Sequence, residues 1–486
     1  MDGELAGGIT AIGKLRVRPA AEIKQSGISV GWECLDREIF DPEKCYEPLA
    51  EAGVKWARCQ TGWNRCETVK GQYDFAWLDD IVDKLLRRGV QPWFNIGYGN
   101  KLYMPDAFGD AAVGSVPLYF GEETQTAWTN FVGALAKHFS GRVKRWEIWN
   151  ESDNRNFWQP REPNPAEYAR FLRLTAPLIR AAIPDAEIGA CVSVVFNNGY
   201  VAPFIQTGIG DTIDFFSVHG YRLQPELNYA REITALRRLF DANKGGNVRI
   251  FQGESGYPSW FPPQHWLGNY IMESEENQAK WLLRRYITDF RLGVSFSSFF
   301  QMVDMMGKDY QMGDMVRKAP ARHGLLNGLT YTRKMSWHAM AHLCSLFDSD
   351  TVPAEFYAAV ETFAAVPKRL PRSRLHDHAA ITAGFKLNGY PLVAYYVPED
   401  VQYGWGGLGK AQVALCPAEA EKPVMEPVLV DMLDGTVYAV KEFSRDAAGR
   451  ADCLQRLPLT DWPLLLTDRA ALAGRWLPEN KSENHG

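Results

Sequence analysis

The chain has 486 residues, of which 46% are hydrophobic and 23% are charged. This size and composition are typical of a folded protein with about three domains, or of one large barrel with a smaller companion, and they exclude wholesale disorder and a small disulfide-stapled scaffold. The net charge is −5, and neither sign gathers into a long run, so we expect no nucleic-acid partner.

Short apolar or aromatic segments alternate with longer amphipathic segments between residues 28 and 345, a pattern that predicts repeated strand–helix units. The eight predicted strands are Ile28 to Trp32, Val54 to Cys59, Val90 to Ile96, Val143 to Trp149, Ala186 to Ser193, Ile213 to His219, Val248 to Gly253 and Val294 to Met302. Apolar residues at helical spacing in Trp77 to Leu86 and in Trp128 to Phe139 predict two of the intervening helices. Eight strands that alternate with helices over roughly 320 residues predict an α/β fold, a (β/α)8 barrel over residues 28–345.

The pattern changes after residue 345. Residues 346–378 contain Pro353, Pro367 and Pro371 and are predicted to be a linker, whereas residues 379–478 are predicted to form an accessory antiparallel β domain. Its predicted strands are Ala379 to Leu387, Leu392 to Val397, Gln412 to Cys416, Val428 to Met432 and Val437 to Phe443. Residues 1–27 form an N-terminal segment with a candidate strand of the same domain at Lys14 to Pro19, and we expect residues 479–486 to fray.

The eight cysteines are scattered and include no Cys-x-x-Cys pair, which favours reduced thiols. The sequence has no signal-peptide pattern at its start and no apolar run near the roughly 18 residues of a membrane span. We therefore expect a cytoplasmic protein without a membrane partner, or a secreted one if a signal peptide has been removed. A homo-oligomer is compatible with the sequence.

Two short motifs match known patterns by letter but not by context. The run from Gly404 to Gly409 fits the dinucleotide fingerprint, and with Lys410 it nearly fits a phosphate loop, but a predicted strand follows where both motifs need a helix. The pair His376 and His378 lies outside the barrel without a third ligand cluster, so we expect no metal and no cofactor.

Two predicted barrel strands end in carboxylates. The fourth strand runs through Val143-Lys-Arg-Trp-Glu-Ile-Trp149 into Asn150 and Glu151, and the seventh ends in Gly253-Glu254-Ser-Gly256. Because the carboxyl ends of all barrel strands meet at one mouth, Glu151 and Glu254 are expected to face each other across a cleft. Paired carboxyl groups, one protonated and one ionised, are what glycoside hydrolysis requires.

The two motifs, in this strand order, resemble those of the clan A retaining glycoside hydrolases. Within the clan, the run from Glu147 to Asn154, followed by Phe157-Trp-Gln-Pro160 and Pro165-Ala-Glu-Tyr168, looks most like glycoside hydrolase family 39, which includes β-xylosidases and α-L-iduronidase. One departure is that clan members usually carry a tryptophan at the end of strand eight, where this chain has Phe299-Phe300-Gln301.

The resemblance implies roles for six residues. Glu151 would be the acid/base, Glu254 the nucleophile, and Asn150 the amide that binds the sugar 2-hydroxyl. Arg58, at the end of strand two, would keep the nucleophile ionised through its opposite charge. The strand-six residues His219 and Tyr221 would form hydrogen bonds near the nucleophile and the sugar.

Aromatic residues beyond several strand ends are candidates for stacking on a sugar ring, with Gln301 as a candidate hydrogen-bonding partner. These aromatic residues are Trp63, Tyr98, Trp158, Trp260 and Trp266.

These expectations describe a retaining glycosidase for an oligosaccharide or glycoside, with carboxyl groups about 5 to 5.5 Å apart and a β-linked neutral sugar as substrate. The alternatives are a transglycosylase that uses the same carboxylates, a non-catalytic carbohydrate-binding barrel and a metal-dependent barrel hydrolase. The last would need several histidines at strand ends, where only His219 qualifies.

Overall fold

The structure is a computed structural model, and it describes residues 8–33, 35–107, 109, 111–260, 274–306, 310–312, 315–317, 322–355, 357–362, 380–398, 409–416 and 422–479. The motif at His376 and His378 and the first part of the glycine-rich run lie outside these residues. Gly409 and Lys410 begin a strand, so the helix that a dinucleotide or phosphate loop needs does not follow them.

The predicted barrel is present. After an initial strand β1 (Ile9–Leu15), eight parallel strands close on themselves in the order of the sequence. They are β2 (Ile28–Trp32), β3 (Trp56–Gln60), β4 (Gln91–Ile96), β5 (Arg145–Ile148), β6 (Glu187–Val192), β7 (Phe215–Val218), β8 (Arg249–Ser255) and β9 (Phe296–Phe299). Each strand overlaps one of the eight predicted segments, and most are shorter by one to three residues at their ends.

Helices of varied length surround the barrel. They are α1 (Tyr46–Glu51), α2 (Trp63–Cys66), α3 (Ala76–Arg87), α4 (Glu122–His138), α5 (Pro165–Ala182), α6 (Val201–Gln206), α7 (Tyr229–Ala242), α8 (Glu275–Arg291) and α9 (Met335–Leu346). Local sequence explains where α5 begins, because Asn164 caps the N–H groups of Ala166 and Glu167 and Pro165 occupies the first turn. Among the described residues, no helix is both long and apolar enough to cross a bilayer.

The remaining strands form a separate two-stranded hairpin and, together with β1, the two sheets of the accessory β domain. They are β10 (Tyr310–Met312) and β11 (Met315–Arg317), which form a hairpin of their own, then β12 (Thr351–Pro353), β13 (Tyr357–Thr362), β14 (Ile381–Leu387), β15 (Tyr390–Tyr396), β16 (Gly409–Cys416), β17 (Pro427–Asp431), β18 (Thr436–Val440), β19 (Phe443–Arg445), β20 (Ala451–Leu459), β21 (Leu464–Asp468) and β22 (Trp476–Pro478). One sheet has the order β12-β14-β15-β21-β17-β18-β1-β22, and a second has the order β13-β16-β20-β19. The fold class is therefore the predicted one, a barrel with an accessory β domain.

The larger sheet is buried on both faces. In β17, Val428 and Val430 join the apolar cluster of the barrel and its helices, whereas Leu429 joins a second cluster between the two sheets. Successive side chains of a strand point to opposite faces, so this sheet packs against the barrel on one side and against the smaller sheet on the other.

Inside the barrel, an aromatic layer supports a charged layer. Trp93, Phe215, Phe251 and Phe296 pack together within the barrel, and the guanidinium carbon of Arg58 lies 5.6 Å from the centre of the Trp93 ring. The closed aromatic layer places the charged side chains towards the carboxyl ends of the strands, where barrel enzymes carry their active sites.

Candidate active site

Six residues predicted from the sequence meet at the carboxyl end of the barrel. Arg58 lies in β3, Glu254 lies in β8, and the other four follow directly after β5 or β7. Those four are Asn150, Glu151, His219 and Tyr221.

Arg58 is the centre of a buried charge cluster. Its Nη1 donates to Glu33 Oε1 at 2.8 Å and to Glu254 Oε2 at 3.0 Å, and its Nε donates to Glu147 Oε1 at 3.0 Å. Its Nη2 donates to Asn150 Oδ1 at 2.9 Å, which fixes that amide with its oxygen towards the arginine. One guanidinium therefore orients three carboxylates and the amide beside the reacting groups.

Burial and charge in this cluster shift the pKa values of both Glu33 and Arg58. Burial raises the pKa of Glu33 to about 7, with the nearby carboxylates of Glu254 and Glu147 adding to the effect and Arg58 opposing it. Burial would lower the pKa of Arg58, but the three carboxylates raise it well above its usual range, so the arginine stays charged. Three acidic groups around one cation favour a proton on one of them, and Glu33 is the group that holds it near neutral pH.

Glu151 is held by both its side chain and its backbone. Its Oε1 lies 2.8 Å from His219 Nδ1, and its Oε2 accepts from Asn154 Nδ2 at 2.7 Å. The residue has φ of 42°, in the left-handed region that non-glycine residues seldom adopt, and its N–H donates to Cys191 Sγ at 3.3 Å. Backbone strain of this kind is often found at functional sites.

Glu254 faces solvent more than Glu151 does. Tyr221 donates its hydroxyl to Glu254 Oε1 at 2.7 Å, and Arg58 occupies Oε2, so both oxygens accept hydrogen bonds. Tyr221 itself is 41% exposed, and Phe300 lies edge-on to its ring with the ring centres 6.3 Å apart. The accessible side of the site is therefore bordered by Tyr221 and by the phenylalanine that follows strand β9.

The two carboxylates are close to each other. An oxygen of Glu151, a ring nitrogen of His219 and an oxygen of Glu254 all lie within 4.8 Å of one another. Such spacing would also permit a metal ion, as would that of Glu147, Cys191 and His219, but His219 already hydrogen-bonds to Glu151 and to Cys191. The arrangement is that of a hydrogen-bonded site for proton transfer.

The Glu151–His219 pair holds its proton on the imidazole. Burial raises the pKa of Glu151, but the hydrogen bonds from His219 and Asn154 and the charge of Arg58 outweigh burial and lower it. Burial would lower the pKa of His219, but Cys191 and the carboxylates of Glu254 and Glu151 raise it well above its usual range. Glu151 is thus ionised in this arrangement, the form in which a carboxylate accepts a proton.

Two of the aromatic residues predicted to stack on a sugar belong to the core instead. Trp63 is fully buried, with its ring stacked on Tyr103 and Phe131 and its Nε1 bonded to Glu67. Trp158 is fully buried as well, and its Nε1 donates to the hydroxyl of Tyr119. The prediction of a sugar platform is corrected at Trp63 and Trp158, because helix and loop packing covers both rings.

The other loop predictions have mixed positions. Tyr98 is 2% exposed and stacks on Phe157, so its ring faces are not free for a sugar either. Trp260 is partly exposed, with the guanidinium carbon of Arg322 4.7 Å from the centre of its ring, and Trp266 lies outside the described residues. Gln301 is fully buried, and within the described part of the chain its side-chain amide has no hydrogen-bonding partner.

Sequence reasoning missed three buried residues of the site: Glu33, Glu147 and Cys191. Each carried a weak signal, since Glu33 follows the end of a strand, and Glu147 and Cys191 lie within strands where apolar residues surround them. A polar or charged side chain inside a barrel strand points to the interior or to the helices, and only the register of the closed barrel decides which.

Comparisons with known proteins agree with this geometry. A family model described as glycosyl hydrolases family 39 matches residues 50–249. A β-xylosidase from Geobacillus stearothermophilus is 26% identical over 168 residues, which cover 32% of this chain and 31% of that enzyme. The match thus spans about a third of the length of this curated relative.

Solved structures share the fold at low sequence identity. A family 39 glycoside hydrolase from Bacteroides cellulosilyticus WH2 has a TM-score of 0.63 at 18% identity, over 93% of this chain and 81% of that one. A family 39 β-xylosidase from Caulobacter crescentus has a TM-score of 0.54 at 15% identity, over 94% and 97% of the two chains. The chain is therefore similar in sequence to family 39 glycoside hydrolases over residues 50–249, and it shares their fold over most of its length.

Proposed function

We propose that this protein is a retaining glycosidase, with Glu254 as the nucleophile and Glu151 as the acid/base. The observation that carries the proposal is the approach of one oxygen of each carboxylate to within 4.8 Å, at the carboxyl end of the barrel. Retaining enzymes hold their carboxyl groups about 5 to 5.5 Å apart, whereas inverting enzymes need about 6.5 to 9.5 Å to admit a water molecule.

The reaction follows from the hydrogen bonds of the two groups. Glu254 attacks the anomeric carbon while the proton that the Glu151–His219 pair shares passes through the Glu151 carboxyl to the glycosidic oxygen, which leaves with the bonding electron pair. Glu151 then removes a proton from water, whose oxygen displaces Glu254 from the sugar. Arg58 and Tyr221 both hydrogen-bond to Glu254, and these bonds orient the carboxylate that must attack and later leave.

The substrate class that we propose is a β-linked neutral sugar, with xylose or glucose first. Support comes from the resemblance to family 39 and from the two relatives described as β-xylosidases. A panel of nitrophenyl glycosides (xyloside, glucoside, galactoside, fucoside, arabinoside and glucuronide) is the direct test of the sugar.

The nucleophile is tested with Glu254→Gln. We expect this variant to lose turnover of every aryl glycoside that the wild type hydrolyses, and a 2-fluoro glycoside to label Glu254 covalently in the wild type, detectable by mass spectrometry of peptides. Glu47→Gln is the matched control, because Glu47 is an exposed carboxylate that pairs with Arg88 on the surface. Full activity in Glu254→Gln, or a product released with the opposite anomeric configuration, would overturn the assignment.

A further inference from the structure

The sulfur of Cys191 touches the acid/base residue at two points. It lies 3.2 Å from Nε2 of His219, the imidazole whose Nδ1 meets the Glu151 carboxylate at 2.8 Å. It also accepts the backbone N–H of Glu151 at 3.3 Å, at the residue whose φ is 42°. One buried thiol therefore contacts both the backbone of Glu151 and the ring that holds its side chain.

The position of this sulfur is itself fixed by neighbouring groups. The backbone N–H of Cys191 donates to the hydroxyl of Tyr168 at 2.8 Å, and that hydroxyl donates to the carbonyl of Ile148 at 2.7 Å. The carbonyl of Cys191 accepts from Ser152 Oγ at 2.9 Å. These contacts tie β6 to the end of β5, so the thiol has little freedom to move away from the ring.

The contact between the thiol and Nε2 bears on which nitrogen of the His219 imidazole carries the proton. A hydrogen bond to the Glu151 carboxylate requires the proton on Nδ1, and the partner of the other ring nitrogen decides whether that tautomer is stable. Sulfur can meet Nε2 in either charge state, as an acceptor from the protonated ring or as an S–H donor to the neutral ring. In both states the Nδ1–H stays directed at Glu151.

We infer that Cys191 is a positioning residue for the acid/base: it acts through His219 to keep the imidazole Nδ1–H on the Glu151 carboxylate, and it holds the Glu151 backbone directly. The inference rests on the proposed function, since it assigns Glu151 the acid/base role. Cys191 itself touches no position that a substrate needs, because its side chain is fully buried.

Other charged groups also face His219, and they remain in place when Cys191 is replaced. Glu254 Oε2 lies 3.6 Å from Nδ1, and an oxygen of Glu147 lies within 4.8 Å of a ring nitrogen. Arg58 balances both carboxylates from the opposite side. The Glu151–His219 pair therefore titrates as a unit, and removal of the thiol changes one of its hydrogen bonds without changing its charged neighbours.

The kinetic test compares substrates that need a proton from the acid with substrates that do not. In Cys191→Ala we expect kcat/KM for a phenyl or alkyl glycoside to fall by about tenfold, and kcat/KM for the dinitrophenyl glycoside, whose leaving group needs no proton, to stay within about twofold. The basic limb of the pH profile should move down by about one pH unit, because a charge-assisted N–H···S bond of the protonated pair is lost, whereas the neutral pair loses only a weak S–H donor.

Two further variants make the test specific. Cys191→Ser replaces the thiol with a hydroxyl that can both donate and accept a hydrogen bond. We therefore expect this variant to have the basic limb and the leaving-group dependence of the wild type. Cys59→Ala is the matched control, because Cys59 is a buried core cysteine of strand β3 whose thiol hydrogen-bonds a backbone carbonyl oxygen, and its profile should be that of the wild type. Equal losses for both substrate types, no rescue by serine, or the same shift in the control would each overturn the inference.

A measurement that needs no turnover separates this inference from the proposed function. In protein labelled with 15N-histidine, the ring signals of His219, identified by their loss in His219→Asn, should move to a lower apparent pKa in Cys191→Ala than in the wild type. An unchanged His219 titration would overturn the role of the thiol. Absence of turnover of every glycoside in the wild type, with the predicted NMR shift present, would instead overturn the proposed function alone.

Discussion

The strongest pH-dependent prediction concerns Glu33. Its side chain is fully buried beside Arg58, and its pKa is raised to about 7 by burial, although Arg58 opposes the change. A carboxyl whose pKa is raised on folding keeps its proton in the folded state after the unfolded state has lost it. The free energy of unfolding therefore falls as the pH rises from about 4.5 to about 7, and the loss is complete above that range.

The magnitude follows from the shift of Glu33. A rise from 4.5 to about 7 corresponds to about 3 kcal/mol at high pH, and most of this develops between pH 5 and pH 8. Glu33→Gln keeps an oxygen that can accept the hydrogen bond from Arg58, but it removes the carboxyl group that titrates. Relative to the wild type, this variant should gain about 2 to 3 kcal/mol between the two pH values, or about 2 to 3 °C in Tm for a chain of 486 residues.

The assay is thermal unfolding of both proteins at the two pH values, followed by circular dichroism. Glu47→Gln serves again as the control, since its exposed surface pair should give the same small change at both pH values. If the Tm difference between Glu33→Gln and the wild type were the same at pH 5 and pH 8, the raised pKa of the buried Glu33 carboxyl would be refuted.

Two further substitutions separate chemistry from packing. Tyr221→Phe removes a 2.7 Å hydrogen bond to Glu254, so kcat/KM should fall by about ten- to a hundredfold with Tm unchanged, and a wild-type rate would refute its role at the nucleophile. Trp63→Ala should lower stability by about 3 to 5 kcal/mol because it empties a stacked core position, while KM for the best glycoside stays constant. A selective rise in KM with normal Tm would restore Trp63 to the sugar site.

Much of the barrel could be predicted because its signals are local. Apolar strand segments and helical repeats depend only on side-chain period, which neighbouring residues set. The ends of strands four and seven carried Glu151 and Glu254, and the rule that barrel strand ends share one mouth brought the two together before any coordinates. The later strand β21 was missed, because it belongs to the larger sheet, whose burial on both faces removes the alternation of apolar and polar residues.

The sequence by itself predicted the fold class and the two carboxylates, and its resemblance to the clan A glycoside hydrolases added Arg58, His219 and Tyr221, which lie beside them. Only the tertiary structure decided which polar residues inside strands or just after them turn inward, and so it alone revealed the carboxylates of Glu33 and Glu147 around Arg58 and the thiol of Cys191 behind His219. Only the tertiary structure showed that Trp63 and Trp158 are buried, because the position of a residue in the sequence does not say which side chains pack over its ring. Burial and register are properties of the closed barrel, since contacts between residues far apart in the chain create them.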